Sequence, residues 1–332
     1  MQRQSLVPSG LLIFMVVVAI VIGGIGLLFI GAIFSGDSLG KPGVAVVSYY
    51  GAIADSEDSG LLRGGTTPQN FIRQIDDAGK DSSVKAVVVR INSPGGSPAA
   101  SQEMYEAIRR VRAKKPVLCS MGDVAASGGY YVAAACDKIY ADPATLTGSI
   151  GVISEFMDFQ GLMQKLGVHS NVMTTGKFKD SGSPFRGMRP DEKQLFHELL
   201  MNLYNQFVTD VVDGRREATG SKLTKEAVLK LANGRVYTGE QAKKNLLIDE
   251  LGGLHTAIQA AAQKAGIEGE PAIINMSGGK GLGSIFGAKA FTGALAAAGD
   301  EFGKSLAQGL TSELQQQAAQ QTASPTTGKV HF

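Results

Sequence analysis

One hydroxyl stands where a nucleophile would. Ser127 lies in Gly122-Asp123-Val124-Ala125-Ala126-Ser127-Gly128-Gly129-Tyr130-Tyr131, directly after the apolar run Pro116-Val117-Leu118-Cys119-Ser120-Met121. A bounded, apolar run followed by glycine and small residues predicts a buried strand ending in a tight turn, with a helix beginning near Ser127 and running to Ala135. Backbone N–H groups at such a helix start are unpaired and favour negative charge, so an attacking oxygen there has an anion site beside it. The same pattern also reads as a serine that merely caps a helix.

Attack on a carbonyl needs donors for the oxyanion and a base. Gly96, in Asn92-Ser93-Pro94-Gly95-Gly96, and Gly128 carry no side chain to block close approach, and both fall at predicted strand ends. The first segment reads equally as a simple turn. The four histidines, His169, His197, His255 and His331, all lie away from the glycine turns. Lysine can serve instead. Lys179, in Gly176-Lys177-Phe178-Lys179-Asp180-Ser181, is the candidate and Lys177 its rival, both also readable as solvated surface charges. A lysine near pKa 10.4 is neutral in only about one molecule in 2,500 at pH 7, a cost of roughly 4.6 kcal/mol, so a basic lysine must be desolvated.

The elements that would position these residues repeat one unit. Val44 to Tyr50 predicts a strand, Phe71 to Gly79 a short helix, Val84 to Ile91 a second strand, Pro98 to Lys114 a helix and Pro116 to Met121 a third strand. Strand, glycine turn and helix in succession predict an α/β layer fold with largely parallel strands, whose carboxyl-end turns line up along one edge. Gly95-Gly96 should therefore lie beside Ser127-Gly128. Further on, the sequence predicts a helix near Phe156 to Leu166, a strand near Val168 to Met173 and a polar turn over Thr174 to Met188. Pro190 opens the longest helix, with Leu195, Phe196, Leu199, Leu200, Leu203, Phe207, Val208, Val211 and Val212 in one stripe for core or subunit contact.

Leu11 to Phe34 carries no charge, and 24 residues at about 1.5 Å each span roughly 36 Å, enough to cross a hydrocarbon core of about 30 Å. This run, preceded by a short flank over 1–10, predicts an uncleaved membrane anchor. Flanking charges favour a cytoplasmic N-terminus with the catalytic part outside. Charges nearly balance, 32 Lys+Arg against 30 Asp+Glu, which argues against nucleic-acid binding. Cys119 and Cys136 read as buried hydrophobes, their bonding open. No His/Cys/Asp cluster has metal spacing, so no metal or other cofactor is expected. The chain beyond 269 is Gly/Ala- and Gln-rich, a tail that is partly helical or disordered.

Five motifs occur in order: Asn92-Ser93-Pro94-Gly95-Gly96, Ala125-Ala126-Ser127-Gly128-Gly129-Tyr130-Tyr131, Thr147-Gly148-Ser149-Ile150-Gly151-Val152, Gly176-Lys177-Phe178-Lys179-Asp180 and Arg235-Val236-Tyr237-Thr238-Gly239. With the N-terminal span, this set resembles the short-form signal peptide peptidase A family, membrane-anchored Ser-Lys proteases related in fold to ClpP and the crotonases. The resemblance covers about Gly43 to Ala265. It implies a ClpP/crotonase-like domain over 43–268 built of stacked ββα repeats, with Ser127 as nucleophile and Lys179 as general base. It also implies that Ser149 hydrogen-bonds the lysine amine and that the Gly96 and Gly128 amides form the oxyanion hole. Signal peptides and other hydrophobic peptides left in the lipid bilayer would be the substrates, cleaved inside a homo-oligomeric ring. Two rivals share the fold: a crotonase-like acyl-CoA enzyme and a catalytically silent membrane scaffold.

Overall fold

The computed structural model of the chain describes residues 42–54 and 67–276. The expected anchor at 11–34 and the tail beyond 276 lie outside the described residues. Among the described residues eight strands form one sheet: β1 (Gly43–Tyr50), β2 (Val84–Ser93), β3 (Val117–Ala126), β4 (Lys138–Ala141), β5 (Leu146–Gly148), β6 (Val236–Thr238), β7 (Glu250–Leu251) and β8 (Ala272–Asn275). The main path runs β6-β5-β3-β2-β1-β8, and all pairings are parallel except β5 with β6. Among the described residues eight helices accompany them: α1 (Pro68–Lys80), α2 (Pro98–Arg112), α3 (Gly128–Ala134), α4 (Gln160–Lys165), α5 (Pro190–Arg215), α6 (Lys225–Leu231), α7 (Gly239–Lys244) and α8 (Leu254–Lys264). This mixed, largely parallel layering fits a ClpP/crotonase-like fold.

The alternation of the central strands sends side chains to two cores. Ala45, Val47, Tyr49, Val87, Val89 and Ile91 meet α1, α2 and α3 on one face. Val44, Val46, Ala86, Val88 and Leu118 meet Ala257, Ile258, Ala261 and Ala262 of α8 on the other. Strands buried on both faces explain the continuous Val-rich runs of β1 and β2. Thr67 and Ser97 cap α1 and α2 by accepting from Asn70 and Ala100, and a proline follows each cap.

β3 forks. Its first half, Leu118 to Ser120, pairs with β4, and its second half, Val124 to Ala126, pairs with β5. The strand therefore runs five residues past the expected end at Met121. Gly122 sits inside it because a Cβ there would strike the Asn92 side chain at 2.8 Å. The Asn92 Oδ1 in turn accepts from the Val124 amide at 3.1 Å.

Four other expectations change. Helix α4 covers only Gln160–Lys165. The expected strand near Val168 to Met173 does not form; Val168, Val172 and Met173 are exposed and find no neighbouring strand among the described residues. In α5 the apolar stripe divides: Phe207, Val208 and Val211 are buried, whereas Leu199 and Leu203 are exposed. Finally β8, beyond the expected domain end, adds a parallel strand beside β1. Cys119 and Cys136 are buried free thiols, and burial pushes Cys136 well above the ordinary thiol range.

Candidate active site

Ser127 sits between the end of β3 and the start of α3 with φ 52° and ψ −120°. A non-glycine residue in this region stores of order 1–3 kcal/mol of strain, which the surroundings must impose. They do so from both sides: the Ser127 amide donates to the Gly148 carbonyl at 2.8 Å, and the Tyr131 amide donates to the Ser127 carbonyl at 2.9 Å. The Ser127 side chain makes no helix-capping hydrogen bond. The N-cap reading therefore gives no account of this serine, and its half-buried hydroxyl stays uncommitted at the head of the helix.

The glycine turns come together as the layer argument requires. A Cβ on Gly95, whose φ is 97°, would lie 2.6 Å from the Gly128 nitrogen and 2.8 Å from Ser127 Cβ. A Cβ on Gly128 would lie 3.3 Å from the Gly96 nitrogen. Gly96 is pressed against Ile53 through a parallel bridge, in which Ile53 N–H donates to Gly95 O at 2.9 Å and Ser97 N–H donates to Ile53 O at 2.7 Å. Among the described residues neither the Gly96 nor the Gly128 amide donates to a backbone carbonyl. Two N–H groups without a backbone acceptor thus lie close together at the Ser127 junction, a pairing of the kind that can hold a developing oxyanion.

Behind Ser127, α3 is fully buried. Tyr131 stacks on Phe207 with ring centroids 4.5 Å apart, and its hydroxyl hydrogen-bonds the Asp210 carboxylate. Burial raises the pKa of both Tyr131 and Asp210. Tyr130 donates to the Leu247 carbonyl at 2.9 Å. These bonds hold the Ser127 helix against α5 and the loop after α7.

Ser149 follows β5 as Ser127 follows β3, and the register Ala126 with Gly148 makes the two serines neighbours. Both have left-handed φ, 52° and 51°. The Ser149 hydroxyl points to the Gly234 carbonyl at 3.4 Å. No hydrogen bond links Lys179 to this pair among the described residues. The lysine is exposed, and its ammonium forms no hydrogen bond or ion pair among the described residues, whereas Lys177 pairs with Asp191 at 2.6 Å. The chain therefore brings together Ser127, Ser149, Gly96 and Gly128, and carries Lys179 on a separate turn before α5.

That turn belongs to an arm, residues 152–188, with much apolar surface in solvent: Ile153 is 88% exposed and Met173 98%. Sequence reasoning missed how the arm is fastened. Asp180, Arg186, Arg189 and Glu192 form one ion-paired cluster, and the Arg186 guanidinium holds the Glu192 carboxyl down at about 2. The available signal was the acid three residues after Arg189 at the start of the helix, a spacing that lets a side chain reach back to the cap backbone.

Comparison with known proteins bears on the whole arrangement. The pattern of peptidase family S49 matches residues 109–268, and that of Clp protease matches residues 66–145. Protease 4 of Salmonella typhi is 38% identical over 242 residues, 70% of this chain and 38% of that protein. Two proteins named "Putative protease" are also similar. MJ0651 of Methanocaldococcus jannaschii is 39% identical over 197 residues, 59% of this chain and 61% of that protein. The second, slr0021 of Synechocystis, is 37% identical over 216 residues, 65% of this chain and 75% of that protein. The chain thus spans less than two thirds of the first two relatives and three quarters of the third. With the strained serine, the paired glycine turns and the Clp-like layering, these likenesses establish that the chain belongs to peptidase family S49.

Proposed function

We propose that the chain is a membrane-anchored serine endopeptidase with a Ser-Lys dyad, acting on signal peptides and similar hydrophobic peptides left in the bilayer. The observation that carries this reading is the strained, uncapped Ser127 hydroxyl beside the free Gly96 and Gly128 amides.

In this reaction the Ser127 oxygen attacks the scissile carbonyl while its proton passes to the neutral Lys179 amine. The oxyanion is held by the Gly96 and Gly128 N–H groups. Collapse breaks the C–N bond, and the lysine ammonium returns its proton to the departing amine, leaving an acyl ester on Ser127. Water, deprotonated by Lys179, then releases the acid and restores the serine. Ser149, adjacent to Ser127, accepts from or donates to the lysine amine and so orients it.

A lysine exposed in a single chain is protonated near neutral pH, so the dyad requires the Lys179 turn to be covered. The apolar arm supports association of copies in a homo-oligomeric ring as that cover, since burying each large apolar side chain contributes roughly 1.5–3 kcal/mol. The uncharged run over 11–34 supports an anchor with the catalytic part on the extracytoplasmic side.

The test is to incubate the purified chain with a synthetic leader peptide and map the cleavage products, with Ser127→Ala and Lys179→Ala alongside. Cleavage by the parent and loss in both variants is expected. Full turnover by Ser127→Ala would end the peptidase reading. Sedimentation at the mass of one copy, in the same preparation that cleaves, would remove the ring.

A further inference from the structure

Glu192 is a fully buried carboxylate in a part of the molecule that is otherwise largely exposed. It lies in the first turn of α5, accepts three hydrogen bonds and makes one further ion-pair contact. Its Oε1 takes Arg186 Nη2 at 2.5 Å and Arg189 Nη2 at 2.6 Å; its Oε2 takes Arg186 Nη1 at 2.9 Å and the Arg189 backbone amide at 2.9 Å. The same two guanidiniums grip the chain on either side of Lys179. Arg186 donates to the Asp180 carbonyl at 3.1 Å and to its carboxylate at 2.8 Å. Arg189 donates to the Lys177 carbonyl at 2.5 Å.

The main chain before and after Lys179 is thus tied to one buried carboxylate, while the Lys179 side chain itself has no partner among the described residues. Phe156 closes the turn from outside: a Cβ on Gly182 would meet its ring at 2.7 Å, and its ring lies 4.4 Å from that of Phe196. The nearby Lys177 to Asp191 pair is more exposed, and exposed pairs fix little. Buried, forked Arg-carboxylate bonds are short and set direction as well as distance.

We propose that Glu192, acting through Arg186 and Arg189, is a positioning residue that fixes the Lys179 turn for proton transfer. This rests on the reading of Lys179 as general base. Removing the carboxylate charge takes the shared anchor from both arginines, which keep their contacts to Asp180 and Lys177, so the turn is no longer held to the start of α5 from either side. A general base displaced by about 1 Å costs on the order of 100-fold in rate. A lysine must be held out of water to act as a base near neutral pH, and a loosened turn works against that.

The experiment measures kcat and KM for leader-peptide cleavage by the full chain from about pH 6 to pH 10. It compares the parent with Glu192→Gln, Arg186→Lys, Lys179→Ala and the exposed-carboxylate control Glu198→Gln. Glu192→Gln should lower kcat roughly 30- to 100-fold at neutral pH with KM within about twofold, and the midpoint of the pH profile should move upward. Arg186→Lys keeps the charge but loses the fork, and should fall between Glu192→Gln and the parent. Glu198→Gln should follow the parent. A loss in Glu192→Gln that is uniform across pH, with the midpoint unmoved, would overturn the positioning role and mark Glu192 as structural. Parent-like kcat in Glu192→Gln with an inactive Lys179→Ala would overturn it too, leaving the base intact. An active Lys179→Ala would instead remove the base reading on which the inference rests. Should Glu192→Gln fail to fold, the midpoint of Arg186→Lys decides on the same terms.

Discussion

Replacing Gly95 with alanine removes no hydroxyl, amide or charge from the site, yet should disable it. The added Cβ would sit 2.6 Å from the Gly128 nitrogen, 2.8 Å from Ser127 Cβ and 2.9 Å from the Ala126 carbonyl oxygen. All three atoms belong to the strand-to-helix junction. To reach ordinary contact the Gly128 amide must retreat by roughly 0.8 Å, carrying the proposed oxyanion donor away from the carbon that Ser127 would attack. A misplacement of this size corresponds to about 100-fold in kcat/KM, or roughly 2.7 kcal/mol of transition-state stabilisation. The φ of 97° at Gly95 adds a folding cost of about 1–2 kcal/mol for any residue with a Cβ, lowering Tm by roughly 2–8 °C. Gly128→Ala makes the informative contrast. Its tightest neighbour is the Ser101 hydroxyl at 2.4 Å, which can rotate off the Ser97 carbonyl, and the remaining neighbours stand at 3.3 Å. A loss of about tenfold is expected there. Peptide hydrolysis kinetics and a thermal melt on both variants make the comparison. If Gly95→Ala melts cooperatively and keeps kcat/KM within about threefold of the parent, the two turns do not form the oxyanion site.

The buried Arg215 to Asp249 pair, at 2.7 Å, ties α5 to the loop that also receives the Tyr130 hydroxyl. Arg215→Ala should cost about 3–5 kcal/mol in thermal or urea unfolding by stranding the carboxylate, and pairing Arg215→Met with Asp249→Leu should recover much of it; a single-variant cost below about 1 kcal/mol would refute that role. The arm cluster should resist acid. Because Arg186 lowers the Glu192 carboxyl from 4.5 to about 2, its stabilising contribution is complete above pH 4.5 and is lost only as the pH falls toward about 2. A carboxyl titration by NMR with a Glu192 midpoint above 4 would contradict the cluster.

How far the sequence reveals this molecule depends on the kind of interaction. The Ser127 junction and its neighbour turn were legible because glycine and small residues after an apolar run have few structural uses, and parallel layering then brings Gly95 beside Ser127. Gly122 misleads for the same reason: it looks like a turn, but it is a space left for Asn92 in the middle of a strand. Val168 to Met173 has the composition of a strand and no neighbour to pair with, so local propensity goes unused. The stripe of α5 was correct as a pattern, but periodicity says nothing about what covers it, and only the Phe207 half meets this chain's own core. The tie between Glu192 and the Lys179 turn is a matter of side-chain convergence, which no periodicity encodes.

Helix α5 has one further consequence. Its last turns brace the helix that carries Ser127 through the stack of Phe207 on Tyr131, and its first turn anchors the loop that carries Lys179. A continuous helix is a graduated rod: adding one residue between Glu192 and Phe207 would turn one end against the other by about 100° and lengthen it by about 1.5 Å. The aim of the lysine loop relative to the serine is thereby set in discrete steps by residue count, and insertions or deletions within this rod should be far harder to accommodate than substitutions on its exposed face.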